Sequence, residues 1–361
     1  MRYKRWLGGI LGISAAKKIA LEEAMGSAGE VYRMEQRVLK KINFLTEKEY
    51  DILIEARKEN PLQLEEEQEK KGIGFVTFQE KTYPRTLRYI YQAPYGLFYR
   101  GKLPEGLGKT VAVVGARNCS DYGRMVAKNT SYLLAKSGVE VISGMALGID
   151  GAAQTGAIQA QGATYGVLGC GVDICYPRQN QELYEKIPQK GGIISEYRPG
   201  TKPRPVFFPC RNRIISGMAD IVIVVEARKK SGSLITADFA LEQGKEIFAV
   251  PGRLGDKLSE GTNHLIWQGA GIFLGAEELL KEMNIFIDRK GESSKKTGKA
   301  LENLERLVYS CLDLTPRNLE ELMRNTGLSL GALISTLTNL REMGYISEVY
   351  KNYFIRTDMI I

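Results

Sequence analysis

The sequence predicts an α/β protein built on a mostly parallel sheet, and three observations indicate this class. Short apolar runs alternate with helix-compatible segments of about 10–15 residues, which is the pattern of parallel βαβ units. The run at 221–225 consists entirely of β-branched apolar residues, as expected for a strand that is covered on both faces. Glycine or serine follows several of the runs, so we expect the loops after them to meet at one edge of the sheet.

The predicted elements follow in chain order. Residues 1 to 70 are expected to form short helices. The β runs are then predicted at 75–78, 95–99, 110–114, 139–142, 164–168, 192–195, 221–225, 247–250 and 271–274, with helices at 124–136 and 234–243. Near the start, the run Gly9-Ile10-Leu11-Gly12-Ile13, with lysines after it, is typical of helix-hairpin-helix elements that touch a nucleic-acid backbone. A plain helical packing module is the alternative.

The composition limits the classes of function. The chain has 361 residues, and its 50 Lys and Arg exceed 42 Asp and Glu, which favours an anionic partner. Five cysteines form no Cys-x-x-Cys pair, which indicates a reduced, cytoplasmic protein with small buried thiols. Only one histidine, His264, is present, which disfavours Ser-His or Cys-His catalysis and a zinc site, and we expect it to have a packing or capping role. No apolar run reaches the ~20 residues of a membrane span.

The first candidate binding element is the turn after the run at 110–114. Its candidate residues are Gly115, Arg117, Ser120 and Gly123. Glycine turns before helices direct backbone N–H groups at anions, and a guanidinium can pair with phosphate or stack on a flat group. The spacing is not that of the dinucleotide fingerprint, and Ser143-Gly144 stands where that motif has its ribose-binding acid; Ser143 and Gly144 are also candidate contacts. A structural turn whose arginine caps a neighbouring strand is the alternative.

The most informative stretch is the basic loop at 197–213, which carries five cations, no acid, four prolines and aromatic residues. Cations interleaved with aromatic rings suit single-stranded nucleic acid, because cations follow the phosphates while bases stack on the rings. The candidate contacts are Lys202, Arg204, Phe208, Arg211, Asn212 and Arg213. The alternative is that Phe207 and Phe208 fill a core beneath a solvated loop.

A third candidate element, Arg-Lys-Lys-Ser-Gly-Ser at 228–233, precedes the helix at 234–243. Cations beside a turn at a helix N-terminus favour an anion, and a serine that caps the helix is compatible with this role. The candidate contacts are Ser231, Gly232 and Ser233. We expect these loops to line one groove along the sheet edge, with Arg117 and Arg213 both facing it.

The C-terminal part is predicted to be a separate module. A polar, lysine-rich linker at 288–299 precedes helical patterns at 301–311, 318–324 and 329–343 and a β-hairpin pattern at 345–355, an order typical of a winged-helix domain. From residue 301 onward six Lys and Arg stand against eight Asp and Glu, and the third helix carries one cation, Arg341. A helix that binds DNA bases should contain more cations and amides, so we expect a protein-contact role.

Taken together, these residues resemble the DNA-processing protein A family, also called DprA or Smf. The matching motifs are Gly115-Ala116-Arg117 with Ser120, Tyr122 and Gly123, Ser143-Gly144-Met145-Ala146 with Gly148-Ile149-Asp150, Gly169-Cys170-Gly171, Tyr176-Pro177, Ser195-Glu196-Tyr197, Phe208-Pro209 with Arg211-Asn212-Arg213, Ser231-Gly232-Ser233-Leu234-Ile235-Thr236, and Ala249-Val250-Pro251-Gly252. That many ordered matches argue against chance. The chain departs from the family at Gln154-Thr155, where an Ala-His pair is common, and at Ala116, where a serine is usual.

The resemblance implies an extended Rossmann-like domain that binds single-stranded DNA without catalysis. It also implies a cytoplasmic homodimer that protects incoming single-stranded DNA and loads the RecA recombinase during natural transformation. Carried over by position, Arg117, Arg178 and the cluster of Phe208, Arg211 and Arg213 would contact DNA. No catalytic residue, metal or cofactor is expected.

The predicted organisation has four segments. An N-terminal helical module of helix-hairpin-helix or SAM-like type is expected at 1–70, and the Rossmann-like domain at 71–287. The linker follows at 288–299 and the winged-helix domain at 300–361.

Two other functions are open at this point. One is a nucleotide-processing enzyme or nucleotide sensor on a lysine-decarboxylase-like Rossmann fold, with Glu196 or Asp150 as general base. The other is a protein-interaction scaffold whose C-terminal domain binds a partner.

Overall fold

The computed structural model describes residues 1–104, 106, 108–285, 302–313 and 316–356. The chain divides into two compact units, Met1–Ala276 and Glu277–Ile361. The predicted linker at 288–299 lies outside the described residues, so the division into four segments stays a prediction.

Six short helices precede the first strand. They are α1 (Arg2–Gly9), α2 (Ala15–Met25), α3 (Ala28–Arg33), α4 (Gln36–Leu39), α5 (Glu47–Ala56) and α6 (Pro61–Lys70). Polar side chains fix where two of them begin. Ser14 accepts a hydrogen bond from the Lys17 N–H at the start of α2, and Thr46 and Glu49 form a capping box on α5. The chain therefore starts as a cluster of short helices, of which α2, α3, α5 and α6 have a side-chain cap.

A nine-stranded sheet forms the centre of the first unit. Its strands are β1 (Gly74–Thr77), β2 (Gly96–Gly101), β3 (Thr110–Val114), β4 (Glu140–Ser143), β5 (Thr164–Val167), β6 (Gly192–Ser195), β7 (Ile221–Val224), β8 (Glu246–Ala249) and β9 (Gly271–Ile272). Their order in space is β1-β2-β6-β5-β4-β3-β7-β8-β9; the β1–β2 and β2–β6 pairs are antiparallel, and the remaining pairs are parallel. The predicted α/β class with a mostly parallel sheet is confirmed, and the parallel strands all end at one edge.

Among the described residues up to 285, seven further α-helices alternate with or follow the strands: α7 (Asp121–Lys136), α8 (Ile149–Gln159), α9 (Gln181–Lys190), α10 (Phe207–Met218), α11 (Gly232–Glu242), α12 (Glu260–Trp267) and α13 (Ala276–Glu282). Helix α10 corrects the expectation of a loop over the whole of 197–213. The cluster of prolines suggests a loop, but Pro209 lies in the first turn of α10, where its missing N–H costs no helical hydrogen bond. Phe208, Arg211, Asn212 and Arg213 are therefore held on a helix.

Both faces of the sheet are covered. Ile193 and Ile194 are successive residues of β6 and lie in two different buried clusters, because neighbouring side chains of a strand point to opposite faces. The Ile194 cluster includes Ile214 of α10, whereas the Ile193 cluster includes Leu7 of α1 and Leu21 of α2. The N-terminal helices thus share a core with the sheet.

The second unit contains α14 (Asn303–Ser310), β10 (Arg317–Asn318), α15 (Leu319–Thr326), α16 (Leu330–Glu342), β11 (Ile346–Tyr350) and β12 (Tyr353–Arg356). Its strands form an antiparallel sheet in the order β10-β12-β11. Val308, Leu322, Leu337 and Phe354 belong to one buried cluster, so the three helices and the sheet share a core.

Three smaller points concern the histidine, the cysteines and the apolar character of the helices. His264 is exposed on α12 with its ring stacked on Trp267 at 5.4 Å, which differs from the packing or capping role expected for it. All five cysteines are free; Cys170 is buried and Cys210 is exposed, so the expected burial of the thiols holds for only some of them. In the described part of the chain, no helix combines the length and the apolar character needed to span a membrane.

Helices α7 and α8 pack closely because α8 has a glycine at the contact. A Cβ added to Gly156 would lie 2.0 Å from the carbonyl oxygen of Lys128, which is a backbone atom that cannot rotate away. We expect Gly156→Ala to lower the free energy of unfolding by about 1–3 kcal/mol, as overpacking does in other proteins. Urea titration followed by circular dichroism measures this. Gly232→Ala is the matched control, since no atom lies within 4 Å of the added Cβ; equal stability of the two variants would contradict the packing argument.

Candidate nucleic-acid interface

A groove of about 560 Å³ opens at the edge where the parallel strands end. We call it the edge groove. It is formed by the turn after β3, the start of α8, the first turns of α10 and the start of α11. Of the predicted contacts, those that line it are Gly115, Arg117, Phe208, Arg211, Asn212, Ser231, Gly232 and Ser233. The structure therefore brings together half of the residues singled out in the sequence.

The turn after β3 carries Arg117 and is held in place by hydrogen bonds to the Glu226 carboxylate. At Gly115 an added Cβ would come within 2.7 Å of a neighbouring side chain, so the turn requires glycine. Ser120 accepts a hydrogen bond from the Gly123 N–H and thereby caps α7. The Ser120 N–H donates to Glu226 Oε2 at 2.9 Å, and the Ser120 hydroxyl donates to Oε1. The turn is held rigidly, while Arg117 itself is exposed.

Three side chains stack at the mouth of the edge groove. The Arg117 guanidinium carbon lies 5.3 Å from the centre of the Phe208 ring, within the range of a cation–π interaction. The Tyr176 ring is 5.5 Å from the Phe208 ring, with 31° between their planes. Tyr176 is 41% exposed, so a flat face and a guanidinium are both available to a ligand.

Arg211 forms the floor of the edge groove and is buried. Its Nη1 donates to the carbonyl oxygen of Gly144 at 2.7 Å and to the carbonyl oxygen of Val167. Asp150 lies beside it and accepts from the N–H groups of Gly144 and Ala146 at 3.1 and 3.4 Å. Burial lowers the pKa of the Arg211 guanidinium to about 10, so it stays charged at neutral pH, and burial raises the pKa of the Asp150 carboxyl.

Arg213 does not face the edge groove, contrary to the expectation from the sequence. Its guanidinium binds both carboxylate oxygens of Glu196 at 2.8 and 2.7 Å, and Nε donates to the carbonyl oxygen of Gln92 at 3.0 Å. The side chain is 9% exposed, and Arg213 points away from the groove because it lies on another face of α10 than Phe208. Arg213 therefore has a structural role.

The N-terminus of α11 supplies the fourth wall. Ser231 caps the helix by accepting from the Ser233 N–H, and the two hydroxyls are 2.8 Å apart. The Asn212 amide donates to the carbonyl oxygen of Gly232 at 3.1 Å, which ties α10 to this turn. Exposed Arg228 and Lys230 also line the groove beside this helix N-terminus. Phosphate oxygens are favoured at such a position.

The other predicted residues lie outside the edge groove. The Ser143 hydroxyl donates to the carbonyl oxygen of Val113, and Gly144 lies under the Arg211 guanidinium. Ser143 and Gly144 therefore lie beneath the floor of the edge groove and support it. Gly123 packs against the Glu226 carboxylate. Arg178 is exposed just after the Tyr176–Pro177 bond and stays a predicted contact. Lys202 and Arg204 line a second cleft.

Sequence reasoning missed two residues that shape the site. Glu226 follows β7 and is 106 positions from its partner Ser120, so no local pattern could reveal the contact. Tyr176 was recognised only as part of a motif and not as a ligand contact. The sequence does contain a pattern that indicates a contact at Tyr176. This aromatic residue precedes a proline in a loop that begins with glycines and follows a predicted strand.

A model of the family described as DNA recombination-mediator protein A matches residues 74–284, more than half of the chain. The chain belongs to this family. The DNA processing protein DprA of Bacillus subtilis is 41% identical over 215 residues, which are 59% of this chain and 72% of that protein. The match to the family model confirms the resemblance noted in the sequence, and the matched residues include all nine strands of the large sheet.

Two solved structures of family members have the same fold. The X-ray structure of DNA processing protein A from Streptococcus pneumoniae has a TM-score of 0.67 and 32% identity, covering 78% of this chain and 98% of that one. The structure of DNA processing protein A from Helicobacter pylori, described for its unique single-stranded DNA binding mode, has a TM-score of 0.52 and 30% identity. It covers 58% of this chain and 95% of that one.

The ion pair of Arg213 and Glu196 gives a test of its structural role. Glu196→Ala leaves the largely buried guanidinium without its counter-ion, so we expect the free energy of unfolding to fall by about 3 kcal/mol. Chemical denaturation measures the change. Glu182→Ala is the control, because its ion pair with Lys186 is on the surface and should contribute about 0–1 kcal/mol. A loss no larger than that of the control would contradict a stabilising role for this ion pair.

Proposed function

We propose that this protein binds single-stranded DNA in the edge groove and acts in DNA processing during natural transformation. The stack of Arg117, Phe208 and Tyr176 carries the proposal. A base that is not paired can stack on the exposed aromatic face, and the guanidinium next to it can pair with the adjacent phosphate. A paired base in a duplex has its faces covered by its neighbours and cannot enter such a stack.

The charges of the edge groove support an anionic ligand. Arg117, Arg228 and Lys230 are exposed at its rim and form no ion pair among the residues that the structure describes. The acid that lines the groove, Asp150, is buried next to Arg211 and already accepts two backbone hydrogen bonds. The surface that a ligand would meet is therefore positive.

The further role that we propose follows from membership of the family. The protein would protect incoming single-stranded DNA in the cytoplasm and load the RecA recombinase on it, without catalysis of its own. Two observations favour binding over nucleotide chemistry. Glu196 is engaged by Arg213, and Asp150 by two N–H groups and Arg211, so neither carboxylate is free to act as a general base.

Substitutions in the stack test the proposal with a fluorescence anisotropy titration of a labelled oligothymidylate at several salt concentrations. We expect Arg117→Ala to weaken binding by about tenfold and to reduce the salt slope by ~0.7, since one phosphate contact is lost. Phe208→Ala should weaken binding, by ~1–3 kcal/mol for a lost stack, and should leave the salt slope unchanged.

The control for both substitutions is Arg85→Ala, which removes an exposed cation outside the edge groove. It should bind like the unmodified protein. Unaltered affinity in Arg117→Ala and Phe208→Ala would refute binding at this site. A duplex bound as tightly as the single strand would refute the stacking argument.

We also propose that the protein forms a homodimer through the β9 edge of the sheet. This strand is at the end of the sheet, so one side of its backbone has no neighbouring strand among the residues that the structure describes. Around it, Trp267, Ile272 and Leu274 are 81%, 51% and 74% exposed. Large apolar side chains grouped at a sheet edge are typical of protein contacts.

The dimer proposal is tested by Leu274→Arg, which places a charge within this apolar edge. We expect the dimer to dissociate to a monomer in size-exclusion chromatography with light scattering, because an unpaired charge is costly in an apolar contact. Leu62→Arg, on exposed α6, should not change the molar mass. A dimer that persists in Leu274→Arg would place the contact elsewhere.

For the second unit we propose a winged-helix fold with a protein-contact role. Its three helices and the β11–β12 pair have the order expected for that fold. Arg341, the cation of α16, forms an ion pair with Glu348 at 3.0 Å. On the same helix Leu330 and Ile334 are 48% and 46% exposed one turn apart, which suits an apolar partner better than a DNA backbone.

A further inference from the structure

A second cleft, of about 710 Å³, lies beside the basic loop that follows β6. One part of its wall is the hairpin between α1 and α2, together with α5. The other part is the loop itself, which contributes Arg198, Lys202 and Arg204. We call it the hairpin cleft.

The hairpin cleft carries positive charge that no acid neutralises. Four cations line it, but two are already paired: Arg198 binds both carboxylate oxygens of Glu59 at 2.8 Å, and Lys58 has its own carboxylate partner at 2.6 Å. Lys202 and Arg204 are exposed, and neither forms an ion pair among the residues that the structure describes. The positive charge of Lys202 and Arg204 therefore favours an anionic ligand.

The hairpin supplies an apolar wall. Gly12, with φ of 89°, makes the tight turn, and a Cβ there would come within 2.8 Å of the Ile52 side chain. Leu11 is 41% exposed, and Ile10 and Ile52 also line the cleft. A cleft that combines apolar side chains with free cations matches the chemistry of a nucleotide, which has a flat base and a charged phosphate.

The hairpin cleft and the edge groove are joined by one ridge. Arg204 lines the cleft, while its neighbour Pro205 lines the groove. The Arg204 guanidinium carbon is 5.9 Å from the centre of the Phe207 ring, and the next residue, Phe208, belongs to the stack in the groove. Consecutive residues of one segment therefore line the cleft and the groove.

We propose that the hairpin cleft binds a further nucleotide of the same single strand, so that the DNA path runs from the edge groove over the ridge at Arg204 and Pro205. The inference rests on the proposed function of the edge groove. It assigns a role to the N-terminal hairpin, whose glycine-isoleucine pattern is not used by the groove.

Oligothymidylates of two lengths test the inference on the full chain by fluorescence anisotropy. The short one, of about 4–6 nucleotides, is sized for the edge groove, and the long one, of about 16, for the groove and the cleft together. The double variant Lys202→Ala/Arg204→Ala should bind the long oligomer about tenfold more weakly, with a salt slope smaller by ~1.4 for two lost phosphate contacts. It should bind the short oligomer like the unmodified protein.

A second variant tests the apolar wall without removing a cation. Leu11→Gln, at an exposed position of the hairpin, should weaken binding of the long oligomer alone. Lys190→Ala, an exposed cation at the end of α9, is the matched control and should change neither affinity. Circular dichroism melting curves confirm that the variants fold.

The outcomes separate this inference from the proposed function. If both cleft variants bind the long oligomer like the unmodified protein, the hairpin cleft is not part of the path. Equal losses for both lengths would place Lys202 and Arg204 in the edge groove and would also overturn the inference. In either case Arg117→Ala still tests the groove, since this variant should bind the short oligomer more weakly whether or not the cleft takes part.

Discussion

The edge groove depends on one buried guanidinium that bridges the ends of two parallel strands. Arg211 donates to the carbonyl oxygens of Gly144 and Val167, which follow β4 and end β5. Buried carbonyl groups at a sheet edge need donors, and a guanidinium supplies several in one plane. Gly144 permits this, because a Cβ there would lie 2.6 Å from Nη1 of Arg211. Asp150 supplies the compensating charge, so the floor of the groove is satisfied before any ligand binds.

The cations of this edge divide into two groups according to their partners. Arg211 and Arg213 are buried and engaged by carbonyl and carboxylate oxygens, so their loss would damage the fold before it affected binding. Arg117, Lys202 and Arg204 are exposed and have no acidic partner in the described part of the chain. Binding at these three breaks no internal ion pair. Weaker affinity in a variant of Arg211 or Arg213 therefore says little about direct contact with DNA.

The sequence predicted the sheet well because burial on both faces leaves a local signal. The run at 110–114 coincides with β3, whose side chains are all buried. It predicted the site less well, because the role of an arginine depends on partners far away in the chain. Arg211 and Arg213 stand two residues apart in the same basic segment, so the sequence does not distinguish their roles. Only the fold shows that Glu196 and the carbonyl group of Gln92 surround Arg213. The start of α10 was missed because prolines in a first helical turn resemble those of a loop.

The ridge between the edge groove and the hairpin cleft indicates the kind of ligand that this edge suits. The Tyr197 and Phe207 rings stack at 4.3 Å, and the Tyr197 N–H donates to the Ser195 hydroxyl at the end of β6. The ridge is thus attached to the sheet and holds Arg204 out towards solvent. A small cofactor is bound best by a pocket that encloses it, whereas free cations on both sides of a fixed ridge are useful only to a ligand that extends across it. A flexible, unpaired polynucleotide has both the length and the regular spacing of charge to do so.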